Sequence, residues 1–412
     1  MKLPILMNFL DTVTDRTSQI LENKHRQANS VEPRRFLGDE LADVVGVPLS
    51  TIYSAEKAKR IPPRETAPGG RKLGYTLPQV IEMQSMWGTS PWRQEGDPPQ
   101  VIAFTAFKGG CWKTNTTWYA GSYYANKGFR VCLFDLDPQA SLTQNCGLRP
   151  DIDITASNSL TPYILREQGY PIEFVGQTIH KTYLDNMDII PSSLSLASTE
   201  MVLAADLARS NGDPQVYRDT FFRVRQIVDV IKDDYDIILI DGTPSLGLLP
   251  LNIIFAADSI VVPTPTELID FASTGVFNEL LLEQLQFLSG DNAMNLQVID
   301  SAPEIVYLPT RYSDSKTKNT MTSEDILEAI KFTYEDRALR TAIRKHESAV
   351  SNLGPLGRTV FDVNAGQGSV SHIRRPAILN ARENFSQVFD EILERLVLPK
   401  WPSRQSIRAK RA

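Results

Sequence analysis

The chain has 412 residues, which is enough for two or three domains and at least one large core. With 42% hydrophobic and 22% charged residues its composition is that of a globular protein, and no apolar run approaches the roughly 18–20 residues of a membrane span. Its 3 cysteines are too few for a disulfide framework, so we expect an intracellular, reducing compartment and no signal peptide. The net charge of −6 excludes a uniformly basic nucleic-acid coat but leaves room for a local basic site.

Four segments of different character follow one another along the chain. Residues 1–30 carry an apolar stripe at helical spacing, which is typical either of a helix packed on its own domain or of a dimerisation helix. Residues 31–97 form a small module that ends in a polar, proline-containing linker. Residues 98–399 alternate short apolar runs with helical segments, and residues 400–412 form a basic tail.

The small module carries the pattern of a winged helix-turn-helix between residues 38 and 60. Ala42 permits a close helix crossing, Gly46 suits the turn, and Ile52 fills the space between the helices. Residues 57–72 hold six basic residues and one acid around a Pro-Gly-Gly turn, which favours contact with DNA phosphates. The alternative is a generic three-helix module with a solvated basic face. The predicted DNA-contacting residues are Ser50, Thr51, Tyr53, Ser54, Lys57, Lys59, Arg60, Arg64, Arg71 and Lys72.

The larger segment predicts an α/β fold. Its continuous apolar runs, separated by helical stretches, are typical of a doubly wound, mostly parallel sheet that is covered by helices on both faces. The predicted strands are Val101–Phe107, Val131–Asp135, Asp188–Ile190, Asp236–Asp241, Ser259–Pro263, Glu304–Leu308 and Thr359–Phe361.

A glycine-containing turn, Lys108–Thr114, follows the first strand and precedes a helix predicted over Thr114–Asn126, with Gly128 as its stop. This order predicts a phosphate cradle, because glycines let backbone N–H groups converge on phosphate oxygens and the helix N-terminus adds partial positive charge. The standard pattern G-x-x-x-x-G-K-[ST] is not met, since Phe107 and Trp112 stand at its two glycine positions.

The chemistry expected of this cradle involves a lysine, a hydroxyl and carboxylates. Lys113 would reach the β- and γ-phosphates of a nucleotide, and the Thr114 hydroxyl would hold Mg²⁺. Asp135 and Asp137 end one predicted strand and point the same way in an extended chain. Asp241 ends another strand, where a carboxylate completes Mg²⁺ coordination through water.

Together these motifs resemble the deviant-Walker ATPases of the ParA partition family over roughly residues 100–400. The residues that carry the resemblance are Lys108-Gly109-Gly110-x-x-Lys113-Thr114, Asp135-x-Asp137-Pro138-Gln139 and Asp241-x-x-Pro244-Ser245-Leu246-Gly247. The aromatic Trp112 is similar to the larger plasmid and secondary-chromosome members, which have an N-terminal helix-turn-helix. Cys111, Asn115 and Gly242-Thr243 depart from the family pattern, but none of them removes a charged group.

The resemblance implies an ATPase with ATP and Mg²⁺ as cofactors. It assigns Lys108 to the nucleotide of the opposite protomer in a homodimer and Lys113 to the nucleotide of its own chain. It implies that Asp137 positions the attacking water and that Thr114, Asp135 and Asp241 serve the metal. The implied nucleotide-binding residues are Lys108, Gly109, Gly110, Cys111, Trp112, Lys113, Thr114, Asn115 and Arg311, the last standing where relatives carry an adenine-side lysine.

The implied function is partition of a plasmid or secondary chromosome. An ATP-bound dimer would bind nucleoid DNA nonspecifically, a ParB-like centromere-binding protein would stimulate hydrolysis, and the helix-turn-helix would repress the protein's own operon at operator DNA. We expect a cytoplasmic, nucleoid-associated bacterial protein with no membrane partner. The candidates for nonspecific DNA contact are Arg358, Arg374 and Arg375, with ion-paired surface arginines as the alternative. A MinD-like membrane-associated positioning ATPase and a nucleotide-regulated repressor without a partition role stay open.

Overall fold

The computed structural model describes residues 3–4, 6–13, 15–16, 19, 32–106, 108–150, 152–244, 247–290, 298–299, 301–314, 321–365 and 370–404. The described residues between 3 and 19 are helical, while the remainder of the predicted dimerisation helix, residues 1–30, lies outside the described residues. Most of the predicted basic tail, residues 405–412, lies outside them as well. Within these ranges no helix is both long and apolar enough to cross a membrane.

A seven-stranded sheet forms the centre of the fold. Its strands are β1 (Gln100–Phe104), β2 (Val131–Asp135), β3 (His180–Lys181), β4 (Met187–Ile190), β5 (Ile237–Asp241), β6 (Ser259–Pro265) and β7 (Glu304–Thr310). Their order is β3-β4-β2-β5-β1-β6-β7, and every pairing is parallel except that of β3 with β4. The predicted doubly wound α/β class is therefore confirmed.

Helices cover both faces of the sheet. They are α1 (Gly38–Val45), α2 (Leu49–Lys57), α3 (Leu77–Trp87), α4 (Lys113–Lys127), α5 (Ser141–Asn145), α6 (Thr161–Leu165), α7 (Thr199–Arg209), α8 (Pro214–Phe221), α9 (Arg223–Ile231), α10 (Leu248–Ala256), α11 (Leu268–Leu288), α12 (Ser323–Tyr334), α13 (Glu347–Leu353) and α14 (Arg375–Ile392). Alternate residues of each strand feed two cores: Ile102 and Phe104 pack with α4 and α14, whereas Val101 and Ala103 pack with α9 and α10. Burial on both faces explains the continuous apolar runs.

The register of the strands brings the predicted site residues to one edge of the sheet. Phe104 is paired with Asp241, and Asp241 is paired with Asp135. The three strands β2, β5 and β1 therefore end side by side, and α4 begins nine residues after β1 ends. This edge is where a doubly wound sheet places its ligands.

Two strand assignments differ from the sequence prediction. Thr359–Phe361 is not a strand, because the backbone N–H and hydroxyl of Thr359 both donate to Asp362 and close a turn. Val360 and Phe361 are buried beneath α14 rather than in the sheet, so their apolar character is that of a core loop. The short antiparallel strand β3 was not predicted.

The predicted linker and the start of the predicted tail are packed against each other. Asp97 is 3% exposed and accepts from the backbone N–H of Ser403 at 3.0 Å. Trp401 is fully buried, and its indole N–H donates to the carbonyl of Pro98 at 2.9 Å. Residues 400–404 thus pack against the folded domain, so the predicted boundary between domain and basic tail at residue 400 lies too early.

The N-terminal helices α1, α2 and α3 enclose a small core of their own. Leu41, Ile52 and Val80 are fully buried in it. Gly46 ends α1 with a φ of +78°, and a side chain there would also press on Thr89, so this turn requires glycine. A short pairing of Phe36 with Tyr75 closes the module.

This helical module rests on the far end of α4, the helix that begins at the phosphate loop. Gln84 of α3 donates through Nε2 to the carbonyl of Val44 at 2.7 Å and to that of Lys127, the last residue of α4, at 2.8 Å. Because Gly128 packs directly against Gln84, a Cβ at Gly128 would overlap Oε1 of Gln84.

A second contact between the module and the sheet domain is ionic, with two largely buried arginines and a partly exposed carboxylate. Glu40 of α1 is paired with Arg34 and with Arg382 of α14. Arg34 also donates to the carbonyl of Phe361 at 2.5 Å. Burial lowers the pKa of Arg382 to about 9 and also lowers the pKa of Arg34, and Glu40 opposes both shifts.

The same loop is tied to α4 through Asp362. This carboxylate, 3% exposed, accepts from the hydroxyl of Ser122 at 2.6 Å, from Nδ2 of Asn126 at 3.1 Å and from the hydroxyl of Tyr183 at 3.0 Å. The helical module, the loop around Asp362 and α4 are therefore joined by one continuous set of polar contacts.

Candidate nucleotide site

In the phosphate loop, the side chains of Lys113 and Cys111 both donate to the backbone carbonyl of Lys108. Lys113, at the start of α4, is 6% exposed, and its Nζ donates to the carbonyl of Lys108 at 2.9 Å. The thiol of Cys111 donates to the same carbonyl at 3.1 Å, and burial raises its pKa. Gly109 and Gly110 are exposed, and Gly110 has a φ of +80°. The loop thus presents backbone N–H groups at the N-terminus of α4, the arrangement that binds phosphate.

Trp112 stands where the standard pattern has its second glycine, and its backbone conformation is one that glycine adopts most easily. Its φ is +73°, in the left-handed region, immediately before α4. A bulky residue there costs on the order of 1–3 kcal/mol. The ring is partly buried against the core that includes α4. The structure therefore explains both why the standard pattern has glycine at this position and what holds a tryptophan there.

Asp135 organises the loop that follows β2. Its Oδ2 accepts from the backbone N–H and the hydroxyl of Thr143, at 2.8 and 2.7 Å, and its Oδ1 accepts from the backbone N–H of Asp137 at 3.2 Å. Burial raises its pKa to about 6, against the lowering effect of these hydrogen bonds. Asp137 itself is partly exposed at this edge, where its Oδ1 accepts from the backbone N–H of Gln139 at 2.9 Å.

Asp241 differs sharply from Asp135, although the two are paired across β2 and β5. It is fully buried, and within the described part of the chain neither carboxylate oxygen makes a hydrogen bond of standard geometry, although the side chain of Thr114 approaches closely enough to act as a weak donor. Burial raises its pKa well above the ordinary value and the charge of Asp135 adds to the rise, whereas Thr114 and Lys113 act in the opposite direction.

A buried carboxylate without donors is costly unless a cation or a proton satisfies it. The oxygens of Asp241 and the hydroxyl of Thr114 are hard donors of the kind that Mg²⁺ prefers. The residues present therefore fit a Mg²⁺ ion, with Asp241 the better oriented of the two predicted carboxylates, because both oxygens of Asp135 already accept hydrogen bonds.

The side chain of Lys108, the first lysine of the loop, has a different partner from that of Lys113. Its ammonium group is paired with Asp270 in the first turn of α11, a residue that sequence reasoning missed. Arg311, the predicted adenine-side residue, lies beside two acids: its Nη2 is 3.2 Å from Oε1 of Glu267 and its Nη1 is 3.8 Å from Oδ2 of Asp270. The only sequence signal for Asp270 was an acid shortly after a strand end.

The remaining nucleotide-binding candidate, Asn115, is partly exposed in the first turn of α4. Its position beside Thr114 agrees with the prediction that this turn faces the phosphates. No contact of its side chain bears on its role.

The predicted operator-contacting residues are spread over α2 and the segment after it. Ser50, Ser54, Lys57, Lys59, Arg60, Arg71 and Lys72 are exposed, while Thr51 and Tyr53 are partly buried. The ring of Tyr53 is covered by the guanidinium of Arg64 at 4.1 Å, and Arg64 is paired with Glu56 at 2.9 Å. Arg64 and Tyr53 therefore stabilise the module, and the exposed residues stay candidates for DNA contact.

The three arginines predicted to contact DNA nonspecifically differ in how exposed their side chains are. Arg374 and Arg375 are exposed at the start of α14. Arg358 is partly buried, with its guanidinium 4.2 Å above the ring of Tyr183 and its Nη1 donating to the carbonyl of Gly357. Arg358 lies beside the helical module, in a cavity of about 300 Å³ that Phe36 and Leu77 also line.

Comparison with known proteins agrees with this geometry. A family model described as an AAA domain matches residues 99–298. Protein SopA of Escherichia coli (strain K12) is 32% identical over 377 residues, covering 90% of this chain and 90% of that protein. A putative replication protein A of Sinorhizobium fredii is 27% identical over 416 residues, covering 96% and 95% of the two chains.

A solved structure of a partition protein covers 86% of this chain and 97% of its own, with a TM-score of 0.57 at 20% identity, and so shares the fold. The similarity to SopA extends over nearly the full length of both proteins. This chain therefore belongs to the ParA family of partition ATPases, which use ATP and Mg²⁺.

Proposed function

We propose that this chain hydrolyses ATP as part of the partition of a plasmid or secondary chromosome. The observation that carries the proposal is the buried Asp241 carboxylate, which makes no hydrogen bond of standard geometry and lies next to Thr114 and Lys113 at the start of α4. A buried anion beside a phosphate loop is the arrangement expected of a metal-dependent nucleotide site.

In this proposal each residue has a separate task. Lys113 binds the phosphates of its own nucleotide, while Thr114 and Asp241 hold Mg²⁺, the latter through water. When bound, the ion neutralises charge on the phosphate oxygens. Asp137 orients the attacking water, and Asp135 keeps Asp137 in place by accepting its backbone N–H.

The active form is a homodimer in which Lys108 reaches the nucleotide of the opposite protomer. Phosphoryl transfer depends mostly on positioning and charge stabilisation, so a cation from a neighbouring subunit couples dimerisation to chemistry. Lys108 suits this task because its side chain is 43% exposed, in contrast to the buried Lys113.

Two kinds of DNA contact complete the proposal. The ATP-bound dimer binds nucleoid DNA without sequence preference through a surface that includes Arg374 and Arg375, with Arg358 at its margin. The helical module binds operator DNA through the exposed residues of α2 and the basic segment after it, and so represses the protein's own operon. A ParB-like centromere-binding protein stimulates hydrolysis.

The test is the rate of phosphate release from ATP and Mg²⁺, measured alone, with nonspecific duplex DNA, and with DNA plus the product of the adjacent gene. We expect stimulation by DNA and a further rise with the partner, and ATP-dependent DNA binding that weakens steeply with salt. Equal DNA binding with and without ATP at fixed salt would refute the partition proposal and favour the repressor. Stimulation by anionic phospholipid vesicles instead of DNA would favour a membrane-associated positioning ATPase.

A single substitution tests whether Lys108 contacts the nucleotide of the opposite protomer. Lys108→Gln should abolish ATP-dependent dimerisation while leaving the fold intact, as judged by thermal unfolding. A variant that dimerises like the parent would refute the contact across the interface.

A further inference from the structure

Lys108 belongs to a cluster of five charged side chains, three of which have no assigned part in nucleotide binding. We call this the ion cluster; its members are Lys108, Glu267, Asp270, Arg311 and Lys345. Asp270 is paired with Lys108, and its side chain is 8% exposed. Glu267 accepts from Lys345 at 3.2 Å and lies equally close to Arg311. Arg311 thus stands between the two acids.

The charges in the ion cluster do not balance. Among the described residues it contains three cations and two carboxylates, so one cation can leave while each acid keeps a partner. Lys345 already serves Glu267, and Arg311 lies 3.8 Å from Asp270, too far for a hydrogen bond but close enough to reach it by a side-chain rotation. Lys108 is the member on the phosphate loop, and its side chain is the most exposed of the three bases.

A buried carboxylate that loses its partner is strongly destabilising, whereas one that exchanges partners is not. Arg311 is suited to the exchange, since its guanidinium carries several donors in a fixed plane and can serve two carboxylates. Asp270 also lies in the first turn of α11, where the helix dipole favours a negative charge during the exchange.

We propose that the ion cluster holds Lys108 within its own subunit and that Arg311 takes over Asp270 when Lys108 leaves for the partner's nucleotide. The inference rests on the proposed role of Lys108 across the dimer interface. Asp270 and Arg311 are positioning residues here, acting on ATP through Lys108. Asp270 opposes dimerisation by retaining the lysine, and Arg311 promotes it by replacing the lysine.

The two residues should therefore shift dimerisation in opposite directions. In Asp270→Asn the lysine is no longer held, and a dimer releases two such pairs. At about fivefold per pair, the upper range for partly exposed ion pairs, the protein concentration at half-dimerisation should fall by on the order of 25-fold. Arg311→Gln should raise that concentration severalfold, because Asp270 would be left without a replacement, and Arg311→Lys should restore most of the loss.

The measurement is sedimentation velocity of the full chain over a range of concentrations with Mg²⁺ and a slowly hydrolysed ATP analogue. Thermal unfolding of each variant shows whether it is folded. General damage would weaken dimerisation in both variants, so opposite signs support the exchange, and loss in both or no change in Asp270→Asn overturns it. Weaker nucleotide binding by Arg311→Gln at concentrations too low for dimers would assign Arg311 to the nucleotide and overturn its part in the exchange.

Lys108→Gln separates this inference from the proposed function. If Lys108→Gln fails to dimerise and Asp270→Asn behaves like the parent, the contact of Lys108 with the opposite protomer's nucleotide is supported. The ion cluster then does not hold Lys108 within its own subunit. If Lys108→Gln dimerises normally, the trans lysine itself is refuted, and with it the exchange. The double variant Lys108→Gln/Asp270→Asn should show none of the gain of Asp270→Asn.

Discussion

Asp241→Asn should make the protein without nucleotide more stable while removing its response to ATP and Mg²⁺. In the parent, a fully buried carboxylate makes no hydrogen bond of standard geometry within the described residues, and the side chain of Thr114 is only a weak donor to it. An unsatisfied buried polar group costs about 1–3 kcal/mol, and more when it is charged. Asparagine has almost the same shape and no charge, so the substitution removes the part of this cost that is due to charge while leaving a buried amide. A gain of about 2 kcal/mol corresponds to a rise of about 3 °C in Tm, from an unfolding entropy of about 2.1 cal/mol/K per residue over roughly 300 residues.

The assay is thermal unfolding at pH 8 with and without ATP and Mg²⁺. Asp236→Asn is the matched control, because Asp236 is equally buried just before the same strand but is fully satisfied. It accepts from the backbone N–H of Arg130 at 2.7 Å and from Nη2 of Arg130 at 2.6 Å. Its loss removes hydrogen bonds made by a buried carboxylate to a guanidinium that is 44% exposed, and should lower stability by about 1–3 kcal/mol. The two substitutions therefore have opposite signs although the chemistry is the same.

The pH dependence follows from the raised pKa of Asp241. An acid whose pKa is higher in the folded than in the unfolded protein binds its proton more tightly when folded, so its cost is full above the folded pKa and declines as the pH falls from the folded pKa towards the unfolded one. The advantage of Asp241→Asn over the parent should thus shrink between pH 8 and pH 5. A variant less stable than the parent at pH 8, or an advantage that grows on acidification, would refute the reasoning.

Three further substitutions test other parts of the structure. Asp137→Ala should keep nucleotide affinity but lower the rate of phosphate release by about 10²-fold or more, and release at the parental rate would remove Asp137 from catalysis. Glu40→Gln should cost about 3 kcal/mol in denaturant unfolding because two arginines lose a shared carboxylate. Glu65→Gln, which alters an exposed pair, should cost less than about 1 kcal/mol, and equal losses would contradict the buried joint. Gly128→Ala should lower Tm more than Gly147→Ala, because both positions have positive φ but only Gly128 is crowded by Gln84; equal shifts would argue against that contact.

The sequence predicted the centre of the sheet well because its strands are buried on both faces and read as continuous apolar runs. The same rule misled at Thr359–Phe361, where apolar residues pack under a helix while their backbone turns around Asp362. A short apolar run carries no information on which of these two environments buries it.

The candidate site was predictable where the chain itself fixes the geometry. Parallel strands end at one edge, so Asp135 and Asp241 were expected to meet, and the structure pairs them. The pairing of Lys108 with Asp270 joins residues 162 positions apart and depends on how α11 packs. Neither periodicity nor spacing could reveal it, nor show that only one of the two paired aspartates has its oxygens satisfied.

The contacts at Arg34, Glu40 and Gln84 also bear on how such chains can be cut or recombined. An ATPase fragment starting near residue 98 would lose the donors that serve the carbonyls of Lys127 and Phe361, as well as the counter-charge of Arg382. A foreign helical module grafted in its place would have to supply equivalent groups at those three positions. The helical module and the domain that follows it are therefore expected to be inherited together. Chimeras of two relatives should fold stably only when the residues on both sides of this contact come from the same relative.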